Sequence, residues 1–240
     1  MLVDDARVTA WNYDDKQAHY VAVSDHARAV VLAFRGTVTI KEIVSNFDRR
    51  PVVPPANVFP GMPINSKMPC GMQLGFLDQL NVARDAVSAA LQQNPGYQLI
   101  VTGHSLGSVY AHLFALHIRL TLPSWPQPFV YAYSEPLSAS TDFADWALDV
   151  IHVSRYSFVT SSNDVVPNMF GADDRYSHAR FAVEVYFPDP TQPIVRQCNR
   201  SNDENCLIGV SCDKLSWSNH GIFGGLRMSE LLQLADITPA

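Results

Sequence analysis

The chain has 240 residues, 47% of them apolar, enough to bury a full core in a single α/β domain spanning 1–240. Its formal net charge of −6, with no Lys/Arg cluster beyond Arg49-Arg50, excludes the positive field that a nucleic-acid partner requires. No apolar run approaches the roughly 20 residues that span a bilayer, so no integral membrane segment is expected.

Taken in chain order, two apolar runs, His19 to Val23 and Ala29 to Phe34, flank the turn-like Ser24-Asp25-His26-Ala27 and predict a β-hairpin that feeds a sheet. The second run ends in Arg35-Gly36-Thr37. Ile40, Ile43, Val44 and Phe47 then recur at i, i+3, i+4 and i+7, which places four apolar side chains on one face of a short helix. Prolines stop it. From Arg50 to Met72 the chain is rich in Pro and Met with little periodicity, and reads as a long irregular surface loop. Leu77, Leu80, Arg84, Val87 and Leu91 recur at helical spacing ahead of Asn94-Pro95-Gly96, so a helix is predicted over about 73–93. A short apolar strand, Tyr97 to Thr102, leads into the turn Gly103 to Gly107. Val109, Leu113, Leu116 and Leu120 line one face of the helix that follows. Further strands are predicted at Phe129 to Tyr133, His152 to Val159, Arg180 to Phe187 and Ile194 to Gln197, with a helix near Asp142 to Leu148.

Of the four cysteines, Cys198, Cys206 and Cys212 crowd into one polar stretch, and Cys198 with Cys206 is the preferred short-loop disulfide. The same loop carries the glycosylation sequon Asn199-Arg200-Ser201. Both are marks of an oxidising compartment and point to secretion. Met1-Leu2-Val3-Asp4-Asp5 lacks the basic-then-apolar pattern of a signal peptide, so the chain as given is expected to be a mature or truncated form.

The chemistry centres on Gly103-His104-Ser105-Leu106-Gly107. A G-x-S-x-G string is a weak signal alone and gains weight between a buried strand and a helix, where a cramped turn projects the serine hydroxyl. Side chains two residues either side would clash there, and Gly103 and Gly107 keep both positions small. The helix then points its N-terminus at the reaction centre, so the Leu106 N–H can stabilise the oxyanion formed when Ser105 attacks an acyl carbon. A serine hydroxyl needs a base and an orienting acid. Among the histidines, His19 and His26 precede the nucleophile, His104 sits beside it, His112 and His117 lie on the next helix and His152 starts a strand. His178 and His220 remain, and His220 occupies a loop before a helix-like C-terminal segment. Asp164 follows a strand at the edge where open α/β sheets keep their sites, whereas Asp142, Asp145 and Asp149 fit a solvated helix face. Spacing alone leaves these choices open.

With those residues assembled, the chain resembles the fungal class 3 lipases, a branch of the α/β-hydrolases, over nearly its whole length. The blocks that carry the resemblance, in order, are Phe34-Arg35-Gly36-Thr37, Gly75-Phe76-Leu77-Asp78, Val101 through Gly107, Asn163-Asp164-Val165-Val166-Pro167 and Asn219-His220. The resemblance implies an α/β-hydrolase fold, a central mostly parallel sheet flanked by helices, with a short helical lid over about 38–50. It implies Ser105, Asp164 and His220 as the catalytic residues, and Thr37, by its backbone N–H and hydroxyl, as the oxyanion donor beside Leu106. An apolar stripe at helical spacing is ordinarily a core face. Placed directly after an oxyanion residue, Ile40, Ile43, Val44 and Phe47 instead read as lid residues that cover the site in water and dock on a lipid–water interface.

Several positions depart from the family pattern. Its usual N-terminal helical segment before the hairpin is expected to be absent from the chain as given, its Pro-Arg becomes Pro136-Leu137, and the loop from Arg50 to Met72 is longer. The function expected is a secreted lipase cleaving acylglycerol esters through an acyl-enzyme, with no metal or cofactor required. An esterase for soluble or feruloyl-type esters is the alternative, and a non-catalytic lipid-binding protein on the same fold is a second.

Overall fold

The computed structural model describes residues 5–13, 18–36, 48–161, 164–168, 176–177, 182–189, 192–198, 215–223 and 226–227. The predicted hairpin is present as β2 (Ala18–Ser24) and β3 (Ala29–Phe34), antiparallel in a register that pairs Ser24 with Ala29 and His19 with Phe34. Its turn closes where the Arg28 N–H donates to the Asp25 carbonyl at 3.3 Å, with Arg28 at φ 47. A strand that the sequence did not announce, β1 (Arg7–Tyr13), adds to the outer edge of β2. It has no buried residue, so it lacks the apolar alternation by which a half-buried strand is recognised.

After β3, the short strands β4 (Pro51–Val52) and β5 (Met68–Pro69) pair with each other and lead into helix α1 (Cys70–Gln93). Then come β6 (Gln98–His104), α2 (Leu106–Thr121), β7 (Phe129–Tyr133), α3 (Thr141–Ile151) and β8 (Tyr156–Ser161). The strands β9 (Ala182–Asp189) and β10 (Gln192–Cys198) close the far edge of the sheet. The eight strands lie in the order β1-β2-β3-β6-β7-β8-β9-β10. Five of them, β3, β6, β7, β8 and β9, run parallel at its centre. Near the C-terminal end, β11 (Ile222–Phe223) pairs with β12 (Leu226–Arg227) as a small separate ribbon.

Helix α2 follows the central strand and packs on β3, β6 and β7 as well as on α1 and α3. Enclosure on so many sides explains why every residue from Gly107 to Ile118 is buried, not just the single predicted face. Leu32, Leu99, Val101, Val130 and Ala132 from the sheet form one core with Val109, Leu113, Phe114 and Leu116 from this helix. The segment before α1 also differs from the expected surface loop. Phe59 is fully buried, stacks on Phe76 of α1 at 5.9 Å and meets Phe143 of α3 edge-on at 5.6 Å. A stretch without periodicity is therefore anchored by buried side chains: Phe59 joins two helices, and Val58, Met68 and Met72 are buried as well.

Candidate active site

The C-terminal ends of the parallel strands are in register, Phe34 of β3 opposite Gly103 of β6 and His104 opposite Tyr133 of β7. All the candidate residues that the structure describes lie along this edge, where an open parallel sheet leaves a crevice. Ser105 sits between β6 and α2 at φ 58 and ψ −128. A left-handed backbone costs a non-glycine residue about 1–2 kcal/mol, so the surroundings must hold it there. They do so from both sides: the Ser105 N–H donates to the Tyr133 carbonyl at 2.9 Å, and the Ser108 hydroxyl donates to the Ser105 carbonyl.

Two glycines make the turn possible and a third brings β3 against it. A Cβ at Gly103 would stand 2.1 Å from the Gly107 carbonyl oxygen, and one at Gly107 would stand 2.3 Å from the Phe34 carbonyl oxygen. At Gly36 a Cβ would meet the His104 carbonyl oxygen at 2.6 Å and the Ser105 Cβ at 3.1 Å. The segment leaving β3 thus lies against the serine turn, and Leu106 opens α2 with an N–H that has no acceptor within the helix.

Asp164 lies just past β8, fully buried, and forms an isolated bridge with Ser216. The Ser216 hydroxyl accepts the Ser218 N–H at 3.2 Å and so caps a single 3₁₀ turn, Trp217–Asn219. That turn delivers His220, whose Nδ1 lies 3.1 Å from Asp164 Oδ1 and 3.0 Å from Oδ2, both side chains 1% exposed or less. An ionised carboxylate only accepts, so Nδ1 carries the proton and Nε2 is left with a lone pair. His220 Nε2 and Ser105 Oγ are both buried without a hydrogen-bond partner among the described residues. Chemically, an imidazole nitrogen with a free lone pair can take a proton from a serine hydroxyl, which is the pairing that nucleophilic catalysis by serine requires.

His104 packs its ring against that of His220, centroids 4.4 Å apart. Burial, aided by the neighbouring His220, pushes His104 down to about 3 against the opposing pull of Asp164. It therefore stays neutral at ordinary pH and puts no charge beside the His220 ring.

Thus Ser105, Asp164 and His220 lie at one sheet edge, with His220 and Asp164 in direct contact. Thr37, Ile40, Ile43, Val44, Phe47 and most of the 38–50 lid lie outside the described residues, as do His178, Cys206 and Cys212. Cys70 is a free thiol. His112 and His117 are both buried, on acceptors from Glu135 and the Val58 carbonyl. Asp142, Asp145 and Asp149 are exposed on α3 as expected. Among the described residues there is no cluster of His, Cys, Asp and Glu that could hold a metal, and no helix long and apolar enough to cross a membrane.

Two buried residues escaped the sequence reading. Ser134, at φ 50, donates its hydroxyl to Asp164 Oδ2 at 2.5 Å. Glu135 beside it accepts from the Tyr156 hydroxyl, from His112 Nδ1 at 3.3 Å and from the Ser138 hydroxyl at 3.3 Å. Burial, together with Glu135, pushes the Tyr156 phenol well above its usual range. The only local sign of either residue is that Ser134-Glu135-Pro136 directly follows a strand.

Comparison with known proteins fits this geometry. The profile of the family described as Lipase (class 3) matches residues 31–173, more than half of the chain. A secreted mono- and diacylglycerol lipase A of Penicillium cyclopium is 31% identical over 156 residues, 63% of this chain and 46% of that protein. A secreted mono- and diacylglycerol lipase 2 of Gibberella zeae is 27% identical over 220 residues, 81% of this chain and 53% of that protein. The chain spans about half the length of these relatives. Among solved structures, the lipase of Rhizopus microsporus var. chinensis superposes with a TM-score of 0.82 at 19% identity, covering 94% of this chain and 76% of that one. A triacylglycerol lipase whose catalytic centre is described as a serine protease triad superposes with a TM-score of 0.80 at 21% identity, covering 93% of this chain and 82% of that one. The fold is that of the α/β-hydrolases.

Proposed function

The chain belongs to the class 3 lipase family, and we propose that it hydrolyses carboxylic esters, acylglycerols in particular, with Ser105 as nucleophile, His220 as general base and Asp164 as the acid that orients it. The observation that carries this reading is a buried serine hydroxyl, without a partner among the described residues, on a left-handed turn at the same sheet edge as a buried His–Asp pair. In the reaction His220 Nε2 takes the Ser105 proton as Oγ attacks the ester carbonyl, and Asp164 stabilises the imidazolium without itself taking the proton. The carbonyl oxygen, now an oxyanion, accepts from the Leu106 N–H at the positive end of α2, with Thr37 as the second donor. His220 then returns its proton to the departing alcohol. Water, deprotonated by the same His220, cleaves the acyl-enzyme and regenerates the serine.

The lid role of the Ile40, Ile43, Val44 and Phe47 face, and its docking on a lipid surface, belong to the same proposal. So do secretion, supported by relatives named as secreted, and the Cys198–Cys206 disulfide. Labelling by a fluorophosphonate tests the core of it, because only an activated serine reacts. The wild-type chain should label once at Ser105 and hydrolyse p-nitrophenyl esters, and Ser105→Ala should do neither. Wild-type turnover in that variant would end the nucleophile assignment. Faster hydrolysis of long acyl chains above their solubility limit supports the lipase; short-chain preference with no interfacial gain sinks it in favour of a soluble-ester hydrolase.

A further inference from the structure

Ser134 stands in a curious parallel to Ser105. Each follows the end of one of two adjacent parallel strands, β7 for Ser134 and β6 for Ser105, and each takes a left-handed backbone, φ 50 and φ 58. Each also extends the sheet ladder by one rung, Ser134 N–H to the Val159 carbonyl at 2.8 Å and Ser105 N–H to the Tyr133 carbonyl at 2.9 Å. A glycine would adopt this φ at little steric cost, and serine does not. A fully buried hydroxyl is a second expense unless it is paired. Both costs fall on a residue whose hydroxyl reaches one acceptor, Asp164 Oδ2 at 2.5 Å.

The carboxylate is braced from two sides. The Val166 N–H donates to Oδ1 at 2.9 Å and the Ser134 hydroxyl to Oδ2, while His220 Nδ1 lies near both oxygens at 3.1 and 3.0 Å. A planar group held at each oxygen by a different element, one on the β7 side and one on its own loop, cannot rotate about the bond that joins it to Cβ.

Resting on the assignment of Asp164 and His220 as acid and base, we propose that Ser134 is a positioning residue for the hydrolytic reaction, whose hydroxyl fixes the Asp164 carboxylate in the orientation that aims His220 at Ser105. It acts through Asp164 and touches no substrate. Its effect therefore belongs to turnover and not to substrate binding.

The test compares Ser134→Gly and Ser134→Ala with wild type in kcat and KM on a soluble p-nitrophenyl ester, in the rate of fluorophosphonate labelling, and in Tm. Glycine relieves the backbone while deleting the hydroxyl, so Ser134→Gly should keep its Tm. Its kcat and labelling rate should nonetheless fall roughly 10-fold with KM unchanged, the scale of losing part of one charge-assisted hydrogen bond. Ser134→Ala should lose as much kcat and some Tm besides. Wild-type kcat in a folded Ser134→Gly overturns the proposal, and so does a rise in KM with kcat intact. Ser105→Ala run alongside separates the two levels: if it still turns over, the catalytic assignment itself has failed, whereas an inert Ser105→Ala beside an unaffected Ser134→Gly condemns the positioning role alone.

Discussion

Replacing Gly103 by alanine tests the serine turn without touching any candidate catalytic group. The new Cβ would stand 2.1 Å from the Gly107 carbonyl oxygen, 2.3 Å from the Gly107 carbonyl carbon and 2.7 Å from the Ser108 nitrogen. All three are backbone atoms, so no side chain can swing aside to make room. Ordinary contact begins at 3.4 Å, so the first turn of α2 must retreat by about 1 Å from the end of β6. Overpacking on this scale costs about 1–3 kcal/mol. For a chain of this size each kcal/mol lowers Tm by roughly 2–4 °C, which puts the fall at several degrees. The same retreat carries Ser105 and the Leu106 N–H with it, and about 1 Å of misplacement at a reacting centre costs roughly 100-fold in rate. The assay pairs a thermal melt with kcat on a soluble ester. Gly96→Ala is the control: Gly96, at φ +81 in the turn before β6, meets only the Arg28 guanidinium at 3.7 Å. It should lose stability to backbone strain and keep its kcat. Wild-type Tm and kcat in Gly103→Ala would refute the argument that this glycine exists for close backbone approach.

Three further outcomes follow from the same structure. Asp164→Asn keeps the shape of the acid but can hold His220 in the wrong tautomer, and kcat should fall roughly 10,000-fold with the fold intact by circular dichroism; a loss under tenfold would remove Asp164 from the mechanism. Tyr156→Phe takes one donor from the buried Glu135 carboxylate and should destabilise the chain by about 1–3 kcal/mol in chemical denaturation, and an unchanged midpoint would mean that His112 and Ser138 suffice. His104 protonates near 6.5 when exposed and at about 3 in the fold, so between those values the unfolded chain takes up a proton that the folded chain refuses. Stability is thus complete above about pH 6.5 and drains as pH falls toward 3, with His19 and His117 contributing in the same direction. His104→Gln should flatten that decline when unfolding free energy is measured across the range; superimposable profiles would show that the loss comes from elsewhere.

The sequence announced what has a local pattern. Periodicity placed α1, and the strand, G-x-S-x-G turn and helix around Ser105 were readable because each element carries its own composition. The Phe129 to Tyr133 strand was legible to the residue. Where the reading failed, the cause was direction. Phe59, Met68 and Met72 are fully buried, but in a stretch without a period no neighbour says which way a side chain points. β1 hides because an edge strand with no buried residue alternates nothing. The choice of Asp164 and His220 over other acids and histidines needed the likeness to a family, since their pairing spans 56 residues of sequence. Ser134 was invisible: a serine at positive φ inside a fold looks, in one sequence, like any serine after a strand.

Among the contacts of the described residues, the segment that brings in His220 meets the body of the protein at Asp164, which bridges to Ser216 and bonds to the imidazole, at the tilted ring of His104, and along the flank of β8 by way of β11. If Asp164 and His220 are the acid and base proposed above, the acid is also a latch. Opening it would release the base without disturbing a sheet whose strands are locked by their own ladders and by α2. Local opening of this kind has a lower free energy than global unfolding. Warming should then silence the chain while its secondary structure is still whole, and cooling should restore it. A transition-state mimic bound across Ser105 and His220 should raise the temperature of silencing toward that of melting, since it binds only the latched form.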